Sequence, residues 1–444
     1  MADKPTGIVF FPAFDWAISP THPEREERLL YTRDQLFEEG IMDHPSVLEM
    51  QPRIASAHDI ARVHFCVPGV DRIATEAHLI AAGGALTIGD AYMKGRIKNG
   101  FALVRPPGHH SMRVTHGNRG FCNINNEAVL VEYLRSRYQV KRIAIVDTDV
   151  HHGDGTQDIF WHDPDLLFIS FHQDGRTLYP GTGFMDENGG PLALGTTVNV
   201  PLPPGTTDEG ILYVLEHLVL QLIKSFKPDL VINSAGQDNH FTDPLANMCF
   251  SARGYARLNQ LLAPNIAVLE GGYSVETALP YVNTGIIMAM AGLDTSALRE
   301  PDYNEDRFRE SGGRMAQLKA IVDHQGEMFS RRDKLVEAAR KKYGPYWQRR
   351  RSIYYDTDLI QEQQNESLRM CTDCSGLLSI NSQARGLNVL GLTLPFGACS
   401  ACSQQAEEAY HQAQNQHYDY VYLQDKSRDH FLTYNCRTQE EKII

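Results

Sequence analysis

No stretch of the 444 residues approaches the roughly 18–20 consecutive apolar positions of a membrane-spanning helix, so no transmembrane anchor is expected. The N-terminus, Met-Ala-Asp-Lys-Pro-Thr-Gly, has no basic region followed by an apolar one and runs straight into the strand-like Ile8-Val9-Phe10-Phe11. That argues against secretion and makes the cytoplasm the expected compartment. A positive excess is also missing. The net charge of −13 disfavours nucleic-acid binding, which depends on neutralising phosphates with Lys and Arg. Nor do the eight cysteines form a disulfide framework: Cys66, Cys122 and Cys249 stand singly in apolar contexts, as reduced core residues do. There is no internal repeat and no strong low-complexity tract; the Gln-rich stretch 404–416 reads as a helix or a loose segment.

What remains is an ordinary globular composition, 42% hydrophobic and 22% charged, long enough for one α/β core of about 250–300 residues plus an appendage. Strand-like runs at Ile8–Phe11, Phe101–Val104, Ile143–Asp147, Leu166–Phe171, Leu230–Ser234 and Ile266–Glu270 alternate with helical patterns. The helical patterns are Thr75–Lys94, Asn126–Tyr138, Asp208–Phe226, Ala252–Leu262 and Val275–Ala291. Such alternation predicts a largely parallel sheet with helices on both faces, and ligands at the carboxyl ends of its strands.

Polar residues collect at those ends. The run Val146-Asp147-Thr148-Asp149-Val150-His151-His152-Gly153-Asp154 packs three carboxylates and two imidazoles into nine residues behind a strand. Period-two alternation sets Asp147, Asp149 and His151 on one face, which is half of a metal site. Asp149, His151 and Asp238 offer an oxygen and nitrogen set without thiolate, suited to catalytic zinc or a similar divalent ion. His109 and His110 follow the Pro106-Pro107-Gly108 bend, and each needs an orienting carboxylate; Asp147 and Asp154 are available. Tyr273, after Gly271-Gly272, can set a phenol beside a carbonyl oxygen and stabilise an oxyanion.

In combination these motifs carry a family resemblance. Arg105-Pro-Pro-Gly-His-His, Gly120-Phe-Cys-Asn-Ile-Asn-Asn126, Asp147-x-Asp-x-His-His-Gly-Asp154, Tyr179-Pro-Gly-Thr-Gly183, Ser234-Ala-Gly-x-Asp238 and Glu270-Gly-Gly-Tyr273 resemble the zinc-dependent histone deacetylase family. That family includes acetoin-utilisation proteins, acetylpolyamine amidohydrolases and bacterial deacylases. The likeness spans residues 7–292. It implies the arginase/deacetylase fold, a central eight-stranded parallel sheet flanked by helices. It also implies catalytic zinc on Asp149, His151 and Asp238. His110, oriented by Asp154, is then the general base and acid; His109, paired with Asp147, is the electrostatic histidine; Tyr273 serves the transition state. Phe121 and Tyr179 would wall an acyl-lysine tunnel, and K+ would lie near Asp147, Asp149, His151, Ser170 and Phe171. Asn239, His240 and Asp243-Pro244-Leu245 resemble the class II branch more than class I. There Leu245 stands where polyamine-preferring relatives place a glutamate, and Tyr179 stands where Phe is more usual.

The chain divides on this reading into a catalytic unit over 1–300, a charged helical linker over 301–365 and a small C-terminal unit over 366–444. Within the linker, a helical-looking stretch runs through Met315–Lys342, and Arg349-Arg350-Arg351 reads as a solvated helix end or a basic contact patch. In the last unit Cys371-x-x-Cys374 and Cys399-x-x-Cys402 are separated by 24 residues, close to a zinc-ribbon spacing. Four thiolates there would hold a structural zinc that folds a unit too small for its own core; redox-active or unpaired cysteines are the alternative.

The expected function is zinc-dependent removal of acyl, chiefly acetyl, groups from N-acyl-lysine in a protein or peptide, or from related small acylated amines. Alternatives are an acetylpolyamine or other small-molecule amidohydrolase, a two-metal ureohydrolase and a deacetylase-like binding scaffold. The ureohydrolase needs bridging aspartates that Ser234–Asp238 does not supply, and the scaffold sits poorly with a complete catalytic set. No nucleic-acid or membrane partner is expected; self-association is left open.

Overall fold

The computed structural model describes residues 4–304 and 308–444. The first three residues of the N-terminal reading, and 305–307 within the charged stretch, lie outside the described residues. Eight parallel strands form the central sheet, in the order Val47–Met50, Thr6–Phe11, Asn99–Val104, Ile266–Leu269, Leu230–Ala235, Ile143–Asp147, Leu166–Gln173 and Thr197–Leu202. The two strands without a clear signal in the sequence are the edges. Val47–Met50 is short and half-buried, and Thr197–Leu202 carries Pro201, which an edge strand tolerates.

Successive residues of a strand feed opposite sides of the sheet. Ile143 and Ile145 join a core with Ala85, Leu86, Leu130 and Leu134, from the helices Glu76–Met93 and Asn126–Tyr138. Ala144 and Val146 join another with Tyr255, Leu258, Val282 and Ile286, from the helices Ala252–Leu262 and Leu279–Ala291. Burial on both faces explains why these strands read as continuous apolar runs, and it leaves polar residues only at their ends. The helix expected from Val275 begins later, at Leu279, with Pro280 in its first turn, where a missing N–H costs nothing.

Beyond Gly292 the fold departs from the expected linker. Gly312–Ser330 and Arg332–Lys342 are two helices, but Tyr346–Tyr355 and Ile360–Arg369 are strands, so Arg349–Arg351 lies in a strand and not at a helix end. They open a seven-stranded sheet that continues through Leu378–Ala384, Leu387–Leu394, Tyr420–Asp425, His430–Asn435 and Glu440–Ile443. Neighbours are antiparallel except for Leu387–Leu394 and Tyr420–Asp425, which run parallel. The helix Ser400–Ala413 joins that pair and packs Ala406 and Tyr410 on Leu390, Leu392, Val421 and Leu423. The C-terminal unit therefore has a core of its own, contrary to expectation. Its other face docks on the catalytic unit, with Leu368, Ile380, Val389 and Tyr422 against Phe65 and Val114. No helix among the described residues is long and apolar enough to cross a membrane.

Candidate active site

The carboxyl ends of four neighbouring strands converge. Asp149 and His151 follow Ile143–Asp147, Asp238 follows Leu230–Ala235, the His109-His110 pair follows Asn99–Val104, and Tyr273 follows Ile266–Leu269. Carboxylates shape these loops by binding backbone N–H groups. Asp147 Oδ1 accepts the Asp149 N–H at 3.1 Å, Asp149 Oδ1 the His151 N–H at 2.8 Å, and Asp238 Oδ1 the Val150 N–H at 2.9 Å. Asp149 Oδ2 takes the Gly271 N–H at 2.7 Å. Gly271 cannot be replaced cheaply, since a Cβ there would lie 2.3 Å from Asp238 Oδ2.

Asp149, His151 and Asp238 are all buried, and their donor atoms lie within 4.8 Å of one another. His151 Nδ1 sits 3.1 Å from both Asp149 Oδ1 and Asp238 Oδ2. Burial disfavours charge on this imidazole, yet the two carboxylates raise it to about 10. The point where they meet therefore calls for positive charge, and the donor set fits a divalent ion.

Two histidine–carboxylate pairs face this cluster. His110 Nδ1 lies 2.8 Å from Asp154 Oδ1, and His109 Nδ1 lies 3.1 Å from Asp147 Oδ2. The rings are 4.1 Å apart, and His110 lies 6.1 Å from the His151 ring. Their protonation diverges. Burial opposes charge on His109, but Asp149 and Asp147 outweigh it and raise the imidazole to about 9. Burial lowers His110 to about 3, and His109 beside it adds to the effect. Burial would raise the Asp154 carboxyl; Arg119 and His110 hold it instead well below the usual carboxylate range. The two neighbouring imidazoles are pushed in opposite directions, His109 toward the charged form and His110 toward the neutral one.

Burial keeps the Tyr273 phenol protonated far above its usual range, although Arg28 nearby favours the phenolate. The Tyr273 ring lies under the Arg28 guanidinium at 4.9 Å and edge-on to Phe121 at 5.6 Å. Tyr179 stands edge-on to His110 at 5.2 Å, and Gly120, just before Phe121, packs on the same His110 ring. Leu245 is half-buried, its N–H held by Asp243 Oδ1 at 2.9 Å, while Asp243 Oδ2 takes the Tyr273 N–H at 2.7 Å. Asp147 and Ser170 are paired in register on adjacent strands, and Phe171 is buried next to Ser170. The two polar residues of the Asp147–Asp154 run to which the sequence assigns no role are held structurally: His152 bonds Thr182 and Gln157, and Thr148 bonds Asn233.

Sequence reasoning missed the supports behind these groups. Arg28 Nε donates to the Gly272 carbonyl at 2.7 Å, and Arg28 and Arg105 both bind Glu24, all three fully buried. Glu270 Oε2 accepts the N–H groups of Gly108 and His109. Arg119 bonds Asp154 and is signalled only by its place just before Gly120-Phe121.

In the C-terminal unit the four cysteine sulfurs approach at 3.5–3.8 Å along the Cys374–Cys402, Cys371–Cys399 and Cys374–Cys399 pairs. A disulfide needs about 2.05 Å, whereas a tetrahedral ion at about 2.3 Å from each sulfur spaces them about 3.8 Å apart. The N–H groups of Asp373 and Gly376 point at Cys371 and Cys374 sulfurs at 3.4 Å. This cluster fits a zinc ribbon.

Comparison with known proteins agrees with this geometry. The histone deacetylase domain matches residues 69–290. A probable deacetylase from Archaeoglobus fulgidus is 45% identical over 348 residues, covering 72% of this chain and 96% of that one. A polyamine deacetylase, HDAC10, from Danio rerio is 40% identical over 205 residues, 44% of this chain and 30% of that one. A crystal structure of the HDA15 HD domain superposes with a TM-score of 0.64 at 29% identity, covering 77% of this chain and 99% of that one. Matched over half its length by the domain, and over 72% of its length to 96% of the archaeal deacetylase, the chain belongs to the histone deacetylase family, a family of hydrolases.

Proposed function

We propose that the chain hydrolyses the amide of an N-acyl amine, with an acyl-lysine side chain, chiefly acetyl-lysine, as substrate. The observation that carries this is the convergence of the His110–Asp154 and His109–Asp147 pairs on the Asp149, His151 and Asp238 cluster. Zinc on that cluster would supply Lewis acidity toward water and the acyl carbonyl. His110, neutral and held by Asp154, takes a proton as water oxygen adds to the acyl carbon. It returns that proton to nitrogen as the C–N bond breaks, leaving a carboxylate and a free amine. His109, charged beside Asp147, contributes positive potential, and the Tyr273 hydroxyl donates to the oxyanion. Phe121 and Tyr179 wall the acyl tunnel, and Leu245 lies at its rim.

Catalysis is assigned to residues 1–300. The four-cysteine unit, whose sheet begins at Tyr346, is assigned a structural zinc on Cys371, Cys374, Cys399 and Cys402. A K+ ion belongs to the proposal beside Asp147, Ser170 and Phe171, supported by the in-register pairing of the first two. A second reading, acetylpolyamine hydrolysis, is favoured by the likeness to the polyamine deacetylase and opposed by the apolar Leu245. A panel of acetyl- and longer acyl-lysine peptides and acetylpolyamines, with and without chelator, tests both. Chelator-sensitive turnover of the peptides is expected. Turnover confined to acetylpolyamines favours the second reading, and turnover that survives complete metal removal sinks the metal-assisted mechanism.

A further inference from the structure

The hydroxyl that distinguishes Tyr179 from phenylalanine has a partner outside the catalytic unit. The turn between the strands Tyr346–Tyr355 and Ile360–Arg369 carries Asp356 to the tunnel wall. There Asp356 Oδ1 accepts the Tyr179 O–H at 3.1 Å and the Gly120 N–H at 2.9 Å. In the same turn Asp358 Oδ2 accepts the Asn118 N–H at 2.7 Å, and at the end of the strand before it the Tyr354 carbonyl accepts an Arg119 N–H at 2.5 Å. The other terminal nitrogen of Arg119 holds Asp154, the carboxylate behind His110.

The segment so gripped cannot keep its own shape. Gly120 and Phe121 have φ of 51° and 69°, and a left-handed non-glycine residue persists only where its surroundings over-determine it. Gly120 also rests on the His110 ring; a Cβ there would lie 2.4 Å from His110 Cδ2. Apolar packing of Met112 with Ile353, Tyr355 and Ile360 seats the base of the turn, but not its tip at Asp356. A cavity of about 520 Å³ separates the units here, lined by Arg119, Asp154 and Tyr179 on one side and Arg351, Ile353 and Tyr354 on the other. Docking of the two units does not depend on this turn, because Arg62–Asp429, Lys426–Glu132 and Tyr422 bonded to the Cys66 carbonyl join them elsewhere.

We infer that the C-terminal sheet is a working part of the acyl tunnel: Asp356 is a positioning residue that clamps both aromatic walls, Phe121 through Gly120 and Tyr179 through its hydroxyl. The inference rests on the deacylase reading for its substrate and on the geometry alone for the clamp. A wall held by hydrogen bonds sets tunnel width, so its loss weakens acyl binding more than it slows the chemical step.

The test compares wild type with Asp356→Ala, Asp356→Asn, Tyr179→Phe and the double variant Asp356→Ala/Tyr179→Phe. The readouts are kcat and KM on an acetyl-lysine peptide and amide hydrogen exchange at Asn118 and Gly120. Losing bonds to a charged acceptor is expected to raise KM about tenfold in Asp356→Ala, with kcat changed less, and to speed Gly120 exchange by about tenfold or more. Asp356→Asn keeps an acceptor oxygen and is expected to recover most of both. The double variant should raise KM no further than the worse single one, because Tyr179 and Asp356 share one interaction. Unchanged Gly120 exchange in a folded Asp356→Ala overturns the clamp, as do KM effects that multiply in the double variant. If wild type turns over no acylated amine, the deacylase reading fails by itself and the exchange measurement still decides the clamp.

Discussion

Glu270 offers a sharp separation between charge and hydrogen bonding in this site. It is fully buried, and its Oε2 accepts the N–H groups of Gly108 at 2.7 Å and His109 at 2.9 Å, so it holds the loop that presents both histidines. Burial, with Glu127 beside it, raises its carboxyl well above the usual range, so Glu270 favours the protonated form. Glu127 in turn accepts the Ser234 O–H at 2.7 Å. Replacing a protonated carboxyl with an amide keeps this pattern: the Gln oxygen accepts both N–H groups and the amide is neutral beside Glu127. Glu270→Gln should therefore stay within about threefold of wild type in kcat/KM, a change of well under 1 kcal/mol.

Glu270→Ala leaves two buried N–H groups without an acceptor. At about 1–3 kcal/mol each this costs about 2–6 kcal/mol of stability. The freed loop misplaces His109 and His110, and a displacement of about 1 Å is worth about 10²-fold in rate. The pH dependence has a definite sign. Unfolded Glu270 ionises at about 4.3, whereas the folded group keeps its proton, so wild type loses stability from this group as pH rises above that value. The glutamine variant has no such loss and should gain on wild type by up to about 1.4 kcal/mol per pH unit between pH 5 and 7. Urea unfolding at several pH values, alongside kcat/KM, measures both effects. If glutamine is as damaging as alanine, or its relative stability does not rise with pH, Glu270 is ionised and the account is wrong.

Other consequences are simpler. Tyr273→Phe should lower kcat by about 10²-fold or more with metal content unchanged, as loss of an oxyanion donor does; full activity would remove Tyr273 from the chemistry. Metal analysis of purified protein should find about two zinc per chain, falling to about one when Cys371 and Cys374 become serine. An unchanged zinc content there would rule out the ribbon site. Burial would raise the Asp429 carboxyl, but Arg62 and His58 hold it down at about 2. Its stabilising contribution is thus present above about pH 4 and lost as pH falls toward 2. Asp429→Asn should cost about 1 kcal/mol at pH 7 after solvent screening, and the gap to wild type should close on acidification. A gap independent of pH would assign the loss to packing.

The central site was legible because its signals are local. An apolar strand buried on both faces ends abruptly in Asp-x-Asp-x-His, and such a contrast needs no tertiary knowledge. The two edge strands were not: Val47–Met50 is short and half-buried, and Thr197–Leu202, though buried throughout, is broken up by Asn199 and Pro201. The supports were hidden for another reason: Arg28, Arg119 and Asp356 are ordinary charged residues whose partners lie tens to hundreds of positions away.

The strand Ile360–Arg369 shows the deeper limit. Ile360, Glu362, Gln364, Glu366 and Leu368 are its buried positions, a strict period of two, yet three of the five are polar. Hydropathy therefore reads a solvated, charged linker where the chain builds an inward face. That face is satisfied by ions and hydroxyls: Glu366 meets Arg349 at 2.8 Å and Arg351 at 3.4 Å, and Glu362 meets Tyr355 and Ser382. Arg351 also reaches Asp158 in the catalytic unit at 2.5 Å. Removing one partner of such a buried set is far costlier than the set is stabilising, so it fixes one docking geometry in preference to sliding alternatives. The charges that concealed these strands are thus the ones that set where their connecting turn arrives, and that turn carries Asp356 to the tunnel wall.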